Sequence, residues 1–342
     1  MKYRLAVAAI LLCLPLVAHG QLLPSLNASA YRALCSVDDE IPQADRSQAE
    51  KVALDLAQNA MSGNPDQTYA LMTREAQTSA SLENVTKLTS VIKASGPFQN
   101  VHVAHSYFIE VTGGGDKLPP TDCYKVSDGP ERATISMRSL PRQFHVEVVA
   151  QTINNDWTMF IWLVPEGDSL KALSFSFNIS AISGRTSEDL LRLAREQNQQ
   201  GHTYNAAFLL QAAESVSSRG PNAMPFWKPE LDKEAKAFMP PKDFTGKPPF
   251  LWHVGEQTFE LQGGGVMGVG GNLDLIFDRK LSSWGDDASA DRDNKAFVTA
   301  VVKAYPEFSE SFRAILARAH KPDGTGGFTT VYEFDKGFAQ KP

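Results

Sequence analysis

The spacing of apolar residues along the chain changes its period at Gly96-Pro97. Before this point, apolar residues recur every three or four positions, which predicts three helices beginning near Ser47, Pro65 and Ser81. After it, apolar and polar residues alternate as they do in strands, over residues 101–111, 133–138, 144–150, 157–164 and 173–179. Short connections between such runs make neighbouring strands antiparallel. We therefore expect three helices that precede any strand, followed by an antiparallel sheet.

This order of elements is typical of an α+β fold in which helices pack on a curved antiparallel sheet. Residues 47–181 resemble the nuclear transport factor 2-like (cystatin-type) superfamily in three features. These are the order of elements, the Gly96-Pro97-Phe98 lead into the first strand, and the Trp157 strand followed by Gly167-Asp168-Ser169-Leu170-Lys171-Ala172-Leu173. The resemblance implies a cone-like roll with a cavity between sheet and helices. It implies no particular activity, because one fold hosts many functions.

Helical spacing returns at Ser187 and predicts a helical hairpin. Residues 187–220 resemble one tetratricopeptide repeat through Leu190, Leu193, Ala194, Gly201, Ala206, Leu210 and Ala213. Gln197 stands where that repeat has an aromatic residue, and an unrelated helical hairpin stays equally open. In either case the hairpin has to pack on a neighbour, because a single repeat cannot bury its own apolar face.

Prolines punctuate residues 221–249 and predict a stiff linker around a short helix at 230–238. Beyond the linker, the pattern predicts a small α+β module with strands at 250–254, 258–262, 272–277 and 328–334 and helices at 291–305 and 306–320. We therefore divide the chain into a signal peptide (1–20), an N-terminal segment (21–46), a cystatin-type α+β roll (47–183), a helical hairpin with linker (184–240) and a C-terminal α+β module (241–342).

The first twenty residues predict a removable signal peptide. Lys2 and Arg4 precede an apolar run that ends at Val17, and small residues at Ala18 and Gly20 fit a cleavage site before Gln21. The run is shorter than the roughly twenty residues of a membrane-spanning helix. We therefore expect a soluble periplasmic or secreted protein with no membrane span after removal of the signal.

Composition narrows the possible partners and predicts a disulfide. The 342-residue chain has a formal net charge of -6 at pH 7 and no dense cluster of Lys and Arg, so we expect no nucleic acid partner. Of its three cysteines, Cys13 leaves with the signal peptide. Cys35 and Cys123 remain as a pair in an oxidising compartment, and we predict that they form a disulfide.

Two patterns that suggest a cofactor or a metal have simpler interpretations. Residues 263–268 satisfy G-x-G-x-x-G, but a strand pattern follows where a dinucleotide site requires a helix, so we predict a flexible or bulged hairpin. His102 and His105 are three residues apart on a strand and point to opposite faces, so they cannot share a metal. We expect neither a cofactor nor a metal site.

One pair of residues is a candidate ligand site. His105 and Tyr107 share the alternation phase of Val103 and Ile109, which we expect to face the helices. There they would line the cavity and could bind or protonate a small ligand, or they could be core residues hydrogen-bonded to the backbone. No aspartate on the same face is evident to orient His105, which disfavours catalysis.

These observations favour an exported, non-enzymatic protein that binds a protein partner or a small apolar ligand. Two alternatives stay open. One is a small-molecule enzyme that uses the cone pocket as a general acid/base site, and the other is a structural envelope component that acts through the helical hairpin. Nothing in the residue pattern indicates an oligomeric state.

Overall fold

The computed structural model describes residues 31–114, 118–124, 132–238, 241–244, 246–281 and 283–339. The predicted signal peptide and the first part of the N-terminal segment lie outside these residues. The predicted α+β class is confirmed, because helices and several antiparallel strand pairs make up the described chain.

Five strands in the first half of the chain form an antiparallel sheet, the main sheet, in the order β1-β2-β5-β6-β7. The strands of this half are β1 (Tyr31–Val37), β2 (Gln99–Gly113), β3 (Thr121–Tyr124), β4 (Arg132–Ile135), β5 (Arg142–Gln151), β6 (Asn155–Glu166) and β7 (Ser169–Ile182). The helices are α1 (Gln43–Ser62), α2 (Pro65–Ala70), α3 (Arg74–Ser79) and α4 (Leu82–Ala94), and a 3-10 turn spans Asp38–Glu40. The inner face of the main sheet packs on α1, where Leu56 of the helix shares one apolar core with Phe144, Val146, Val148 and Ile161 of the sheet.

Local signals explain where the first helices begin and end. Gly63 ends α1 with φ of 74°, in the left-handed region that glycine adopts without strain. The Ser81 hydroxyl accepts a hydrogen bond from the Asn84 N–H and starts α4 as predicted. The second predicted helix is divided into α2 and α3, because Thr73 leaves the helix and caps α3 by accepting from the Ala76 N–H.

The prediction that helices precede any strand is wrong. Strand β1 comes first and pairs antiparallel with β2 from Tyr31 to Val37. It is an edge strand with several half-exposed positions, so its apolar alternation is weak. The predicted disulfide between Cys35 and Cys123 is confirmed, with Cα atoms 5.4 Å apart, and it ties β1 to β3.

The second half of the chain contains helices α5 (Ser187–Gln199), α6 (Thr203–Ser215), α7 (Lys228–Ala237), α8 (Asp287–Ala304) and α9 (Phe308–Ser311). Its strands are β8 (Ala223–Pro225), β9 (Phe250–Val254), β10 (Gln257–Leu261), β11 (Gly263–Val269), β12 (Asn272–Lys280), β13 (Ala314–His320), β14 (Gly327–Glu333) and β15 (Gly337–Phe338), with a 3-10 turn at Lys242–Phe244. Strand β8 returns to pair with β4 and forms a small sheet in the order β3-β4-β8. Strands β11 to β15 form a mixed sheet in which β12 and β13 are parallel.

One prediction for the C-terminal module is wrong, and another is only partly right. Residues 306–320 form the short helix α9 and the strand β13, because β13 lies between β12 and β14 and buries Ile315, Ala317 and Ala319 on alternate positions. Its alanines and leucine favour helices in isolation, and tertiary pairing overrides that preference. The glycines of residues 263–268 do lie in a hairpin, as predicted, but β11 is a regular strand that pairs antiparallel with β12 without a register shift, so the expected bulge is not found.

The helices α5 and α6 share one hydrophobic core with the C-terminal module. Leu190, Leu209 and Phe208 pack in the same cluster as Trp252 and Phe277. Each of these side chains is at most 4% exposed, so the apolar surface of the two helices is covered by the chain itself. The domain boundary near residue 240 stays a prediction. Residues on both sides of it contribute to this shared core.

Candidate functional site

A β-bulge in β2 decides which way His105 and Tyr107 point. Val103 pairs with Val148 and His105 with Glu147, so Ala104 is an extra residue on β2. One extra residue reverses the side-chain phase of everything that follows. Val103 packs with the inner core, whereas Tyr107 lies in a separate cluster on the opposite face. The prediction that His105 and Tyr107 face the helices is therefore wrong.

The face to which they point, the outer face of the main sheet, is covered by the small sheet. Tyr107 and Ile109 of the outer face pack against Cys123, Ile135 and Ala223 of the small sheet. Where this cover ends, a pocket of about 550 Å³ opens between the outer face and the start of α7. His105 and Tyr107 both line it, together with Ala104, Ala133, Glu147, Phe160, Glu188, Arg219, Ala223, Pro225, Phe226 and Trp227. We call this the outer pocket.

Asp38 orients His105 at the edge of the outer pocket. Its Oδ2 lies 3.1 Å from Nδ1 of His105, and its Oδ1 accepts a hydrogen bond of 2.8 Å from the Ser106 N–H. A carboxylate only accepts, so this contact places the imidazole proton on Nδ1. Asp38 has φ of 50°, in the left-handed region that aspartate tolerates better than most residues, and this turn brings it from β1 to β2.

This Asp38 contact corrects the expectation that no aspartate orients His105. The two residues are 67 positions apart in the sequence. Their approach depends on the pairing of β1 with β2, and the apolar pattern did not reveal β1. The only local signal was an acidic run, Asp38-Asp39-Glu40, which by itself predicts no partner.

A largely buried ion pair forms the polar wall of the outer pocket. The Arg219 Nε lies 2.8 Å from Oε1 of Glu147, and the two side chains are 19% and 11% exposed. The Arg219 backbone is fixed as well, because its carbonyl accepts from the Ser176 hydroxyl at 2.8 Å. At Gly220 a Cβ would lie 2.2 Å from the Ser176 Oγ, so only glycine lets this segment lie against β7.

Aromatic rings form the apolar wall. The rings of Tyr107 and Phe160 are 6.3 Å apart, and the Tyr107 ring is 6.3 Å from the imidazole of His105. Phe226 and Trp227 close the pocket from the side of α7. The pocket therefore combines an aromatic surface with a small number of fixed polar groups, which is the usual composition of a small-molecule site.

Polar groups are buried under the outer face beside the pocket. His145 is fully buried, and neither ring nitrogen has a hydrogen-bond partner among the described residues. Its ring stacks on Trp162 at 4.8 Å and lies 5.6 Å from Phe160. Burial lowers the pKa of His145 to about 3, so the imidazole is neutral at pH 7. Thr158, Trp162 and Asn178 likewise have buried polar atoms without a partner in the described chain.

Comparison with protein-family models, curated proteins and solved structures gives no match. Within the described residues, no group of three or more His, Cys, Asp or Glu side chains is arranged to hold a metal ion. In the same part of the chain, no helix is both long enough and apolar enough to cross a membrane. The case for a function therefore rests on the geometry of the outer pocket.

Proposed function

We propose that this protein is exported and binds a small amphipathic molecule in the outer pocket without transforming it. The observation that carries the proposal is that His105 and Tyr107 line a pocket of about 550 Å³ next to a fixed Arg219–Glu147 pair. The volume lies within the range of small-molecule sites, roughly 300–1,000 Å³. The confirmed Cys35–Cys123 disulfide supports an oxidising compartment, periplasmic or extracellular.

The two walls of the outer pocket define the ligand's shape. Phe160, Tyr107 and Trp227 offer apolar contact to one side of the molecule. His105 and the Arg219–Glu147 pair offer hydrogen bonds to a polar edge on the other side. A purely apolar ligand would leave the ion pair dehydrated without new partners, which costs free energy. The ligand therefore carries both kinds of surface.

A thermal-shift screen of small molecules tests this proposal. A ligand present at one hundred times its Kd stabilises the folded protein by about 2.7 kcal/mol. Ala104→Trp places an indole in the pocket and should abolish the shift. His102→Trp adds the same ring at an exposed position of the same strand and should retain it. Equal shifts in the two variants would exclude the outer pocket as the binding site.

The Asp38–His105 contact favours a second candidate, a small-molecule enzyme that uses His105 as a general base. A carboxylate that holds Nδ1–H leaves Nε2 as the basic nitrogen of the ring. The experiment is to incubate each screening hit with the protein and analyse it by mass spectrometry. Conversion that Asp38→Asn slows without weakening binding would replace the binding proposal by an enzymatic one.

The other alternative function, a structural envelope component that acts through the helical hairpin, has less support. The apolar residues of α5 and α6 are already buried in the core shared with the C-terminal module. The half-buried apolar residues Tyr204 and Ala207 of α6 line a pocket against the C-terminal module rather than an open face for a protein partner. We therefore propose that the hairpin, whether or not it is related to tetratricopeptide repeats, joins the two halves of the chain.

We further propose that residues 47–183 are related to the nuclear transport factor 2-like superfamily as a cone-like roll. The packing of α1 on the main sheet and the order β2-β5-β6-β7 support this. Limited proteolysis tests the associated domain boundary. First cleavage within residues 221–249 would agree with the proposed division, and first cleavage within residues 101–181 would contradict it.

A further inference from the structure

A second pocket lies where α6 meets the C-terminal module. It has a volume of about 310 Å³. Its walls are aromatic, since Tyr204, Phe208, Phe238, Phe244 and Phe250 all line it. Four of these rings are only half-buried, and Phe208 is 4% exposed. Clustered, accessible aromatic rings around a concavity mark an interaction site more often than a structural one. We call this the aromatic pocket.

The walls of the aromatic pocket are held in place. Asp243 accepts a hydrogen bond of 2.9 Å from the Tyr204 hydroxyl and lies 2.7 Å from Nδ1 of His253. These contacts fix the 3-10 turn that carries Phe244, whose ring packs edge-on at 5.5 Å from Phe208. Burial raises the pKa of Tyr204 above its usual range, so the phenol stays a hydrogen-bond donor. The pocket is therefore formed before a ligand arrives.

The glycine-rich strand forms the remaining wall and gives the G-x-G-x-x-G pattern a structural role. Gly263 and Gly264 of β11 line the pocket with bare backbone. A Cβ at Gly264 would lie 3.0 Å from the Phe277 ring, closer than ordinary contact. The absence of side chains on this stretch thus lets β11 lie against the aromatic cluster without filling the pocket.

The mouth of the aromatic pocket is acidic. Gln211 and Glu214 of α6 line it and are exposed, and within the described chain their side chains make no hydrogen bond or ion pair, whereas the Glu214 carbonyl accepts from the Ser217 hydroxyl. Glu214 lies in the last turn of α6, where the helix dipole disfavours a carboxylate, and no basic residue occupies that turn. Helix stability therefore does not explain the charge. A cation held above an aromatic surface would gain from both the carboxylate and the rings.

We infer that the aromatic pocket binds a small aromatic molecule that carries an ammonium group, with its ring against Phe244 and Phe250 and its charge at Glu214. This site is independent of the outer pocket. Isothermal titration calorimetry with 1-naphthylmethylamine tests it, using 1-naphthaleneacetate as an anion of similar shape. The wild-type protein should bind one amine per chain, at least tenfold more tightly than the acetate.

Three variants locate the binding. Ala207→Phe fills the pocket from α6 and should weaken amine binding at least tenfold, whereas Ala288→Phe, at an exposed position of α8, should leave it unchanged. Glu214→Gln should remove most of the preference for the amine over the acetate. Ala104→Trp, which blocks the outer pocket, should have no effect.

Several results would overturn the inference. They are no binding by the wild-type protein, equal binding of amine and acetate, or full binding by Ala207→Phe. If Ala104→Trp abolished amine binding and Ala207→Phe did not, the amine would occupy the outer pocket. That result would support the proposed function and contradict the second site. A circular dichroism melt of each variant confirms that it is folded before titration.

Discussion

The inner and outer faces of the main sheet are built from different kinds of residue. The inner face is mainly apolar, with Phe144, Val146 and Val148 of β5 packed against α1, and its buried Ser106 donates a hydrogen bond to Glu50 of α1. On the same strand the alternate residues Gln143, His145 and Glu147 point to the outer face, and all three are buried. Burying polar groups costs free energy unless they are paired, and His145 is not paired within the described residues.

The difference separates the face that specifies the fold from the face on which we propose that the ligand binds. The inner face gains stability mainly from apolar burial, and a well-packed set of apolar side chains of similar volume would serve there. The outer face keeps the buried polar residues His145 and Glu147, the latter paired with Arg219 from the segment after α6, at a cost in stability. Buried polar residues that lower the stability of a fold tend to mark functional sites. Five predictions separate the two faces, in order of decreasing expected effect on stability, with the fourth counted per pH unit.

The largest effect is expected from removing the disulfide that joins the small sheet to the main sheet. Cys35 and Cys123 are separated by 88 positions. The chain-entropy model gives about 4–5 kcal/mol for closing a loop of this length. The Cys35→Ala/Cys123→Ala double variant should therefore lose about that much free energy of unfolding in urea titration. Unchanged stability would show that packing alone holds the small sheet against the main sheet.

A core substitution on the inner face comes next. Phe144 is 2% exposed and stacks on Phe108 with ring centres 4.6 Å apart. Phe144→Ala should lower the free energy of unfolding by about 3–5 kcal/mol through lost burial and a cavity. Ligand affinity at 10 °C, where the variant is still folded, should not change. A loss of affinity with intact folding would break the proposed separation between the faces.

The Arg219–Glu147 pair gives the third effect. Arg219→Met leaves the Glu147 carboxylate largely buried without its partner and should cost about 2–3 kcal/mol, less than for a fully buried pair because both side chains keep some exposure. The Glu147→Gln/Arg219→Met double variant should recover part of the loss. Urea titrations of the four proteins in a double-mutant cycle measure the coupling. Strict additivity would mean that the pair does not act as a unit.

The fourth effect depends on pH and belongs to His145. Its folded pKa of about 3 lies below the unfolded value near 6.5, so the unfolded chain binds the extra proton between these limits. Stability should therefore fall by up to about 1.4 kcal/mol per pH unit as pH decreases from about 6.5 towards 3. His145→Phe keeps a ring against Trp162 and should flatten this slope. The same slope in variant and wild type would assign the pH dependence to other groups.

The smallest effect on stability and the largest on binding is expected from His105. Its side chain is 26% exposed at the edge of the outer pocket. His105→Ala should cost less than about 1 kcal/mol, because an exposed wall loses a contact without opening a cavity. Ligand-induced thermal shifts should disappear. A large drop in melting temperature combined with an unchanged ligand shift would make His105 a structural residue.

The sequence predicted the inner face well and the outer face poorly. Helix caps such as Ser81 and Gly63 act through neighbouring residues, and the alternation in β5, β6 and β7 follows from local spacing. Ala104 shows the limit, because an extra residue in a strand leaves no mark in the apolar pattern until its partner strand is known. The approach of Asp38 to His105 likewise depends on pairing between distant strands. His105 and Tyr107 were identified as a candidate pair, but on the wrong face.

Methyl NMR of alanine-labelled protein tests the central claim most directly, because alanines mark both faces. Ala104, Ala133 and Ala223 line the outer pocket, while Ala53 and Ala150 are fully buried in the inner core. On titration with a molecule that raises the melting temperature, the first three methyl signals should shift and the last two should stay in place. Shifts confined to Ala53 and Ala150 would put the ligand between sheet and helices and contradict the account.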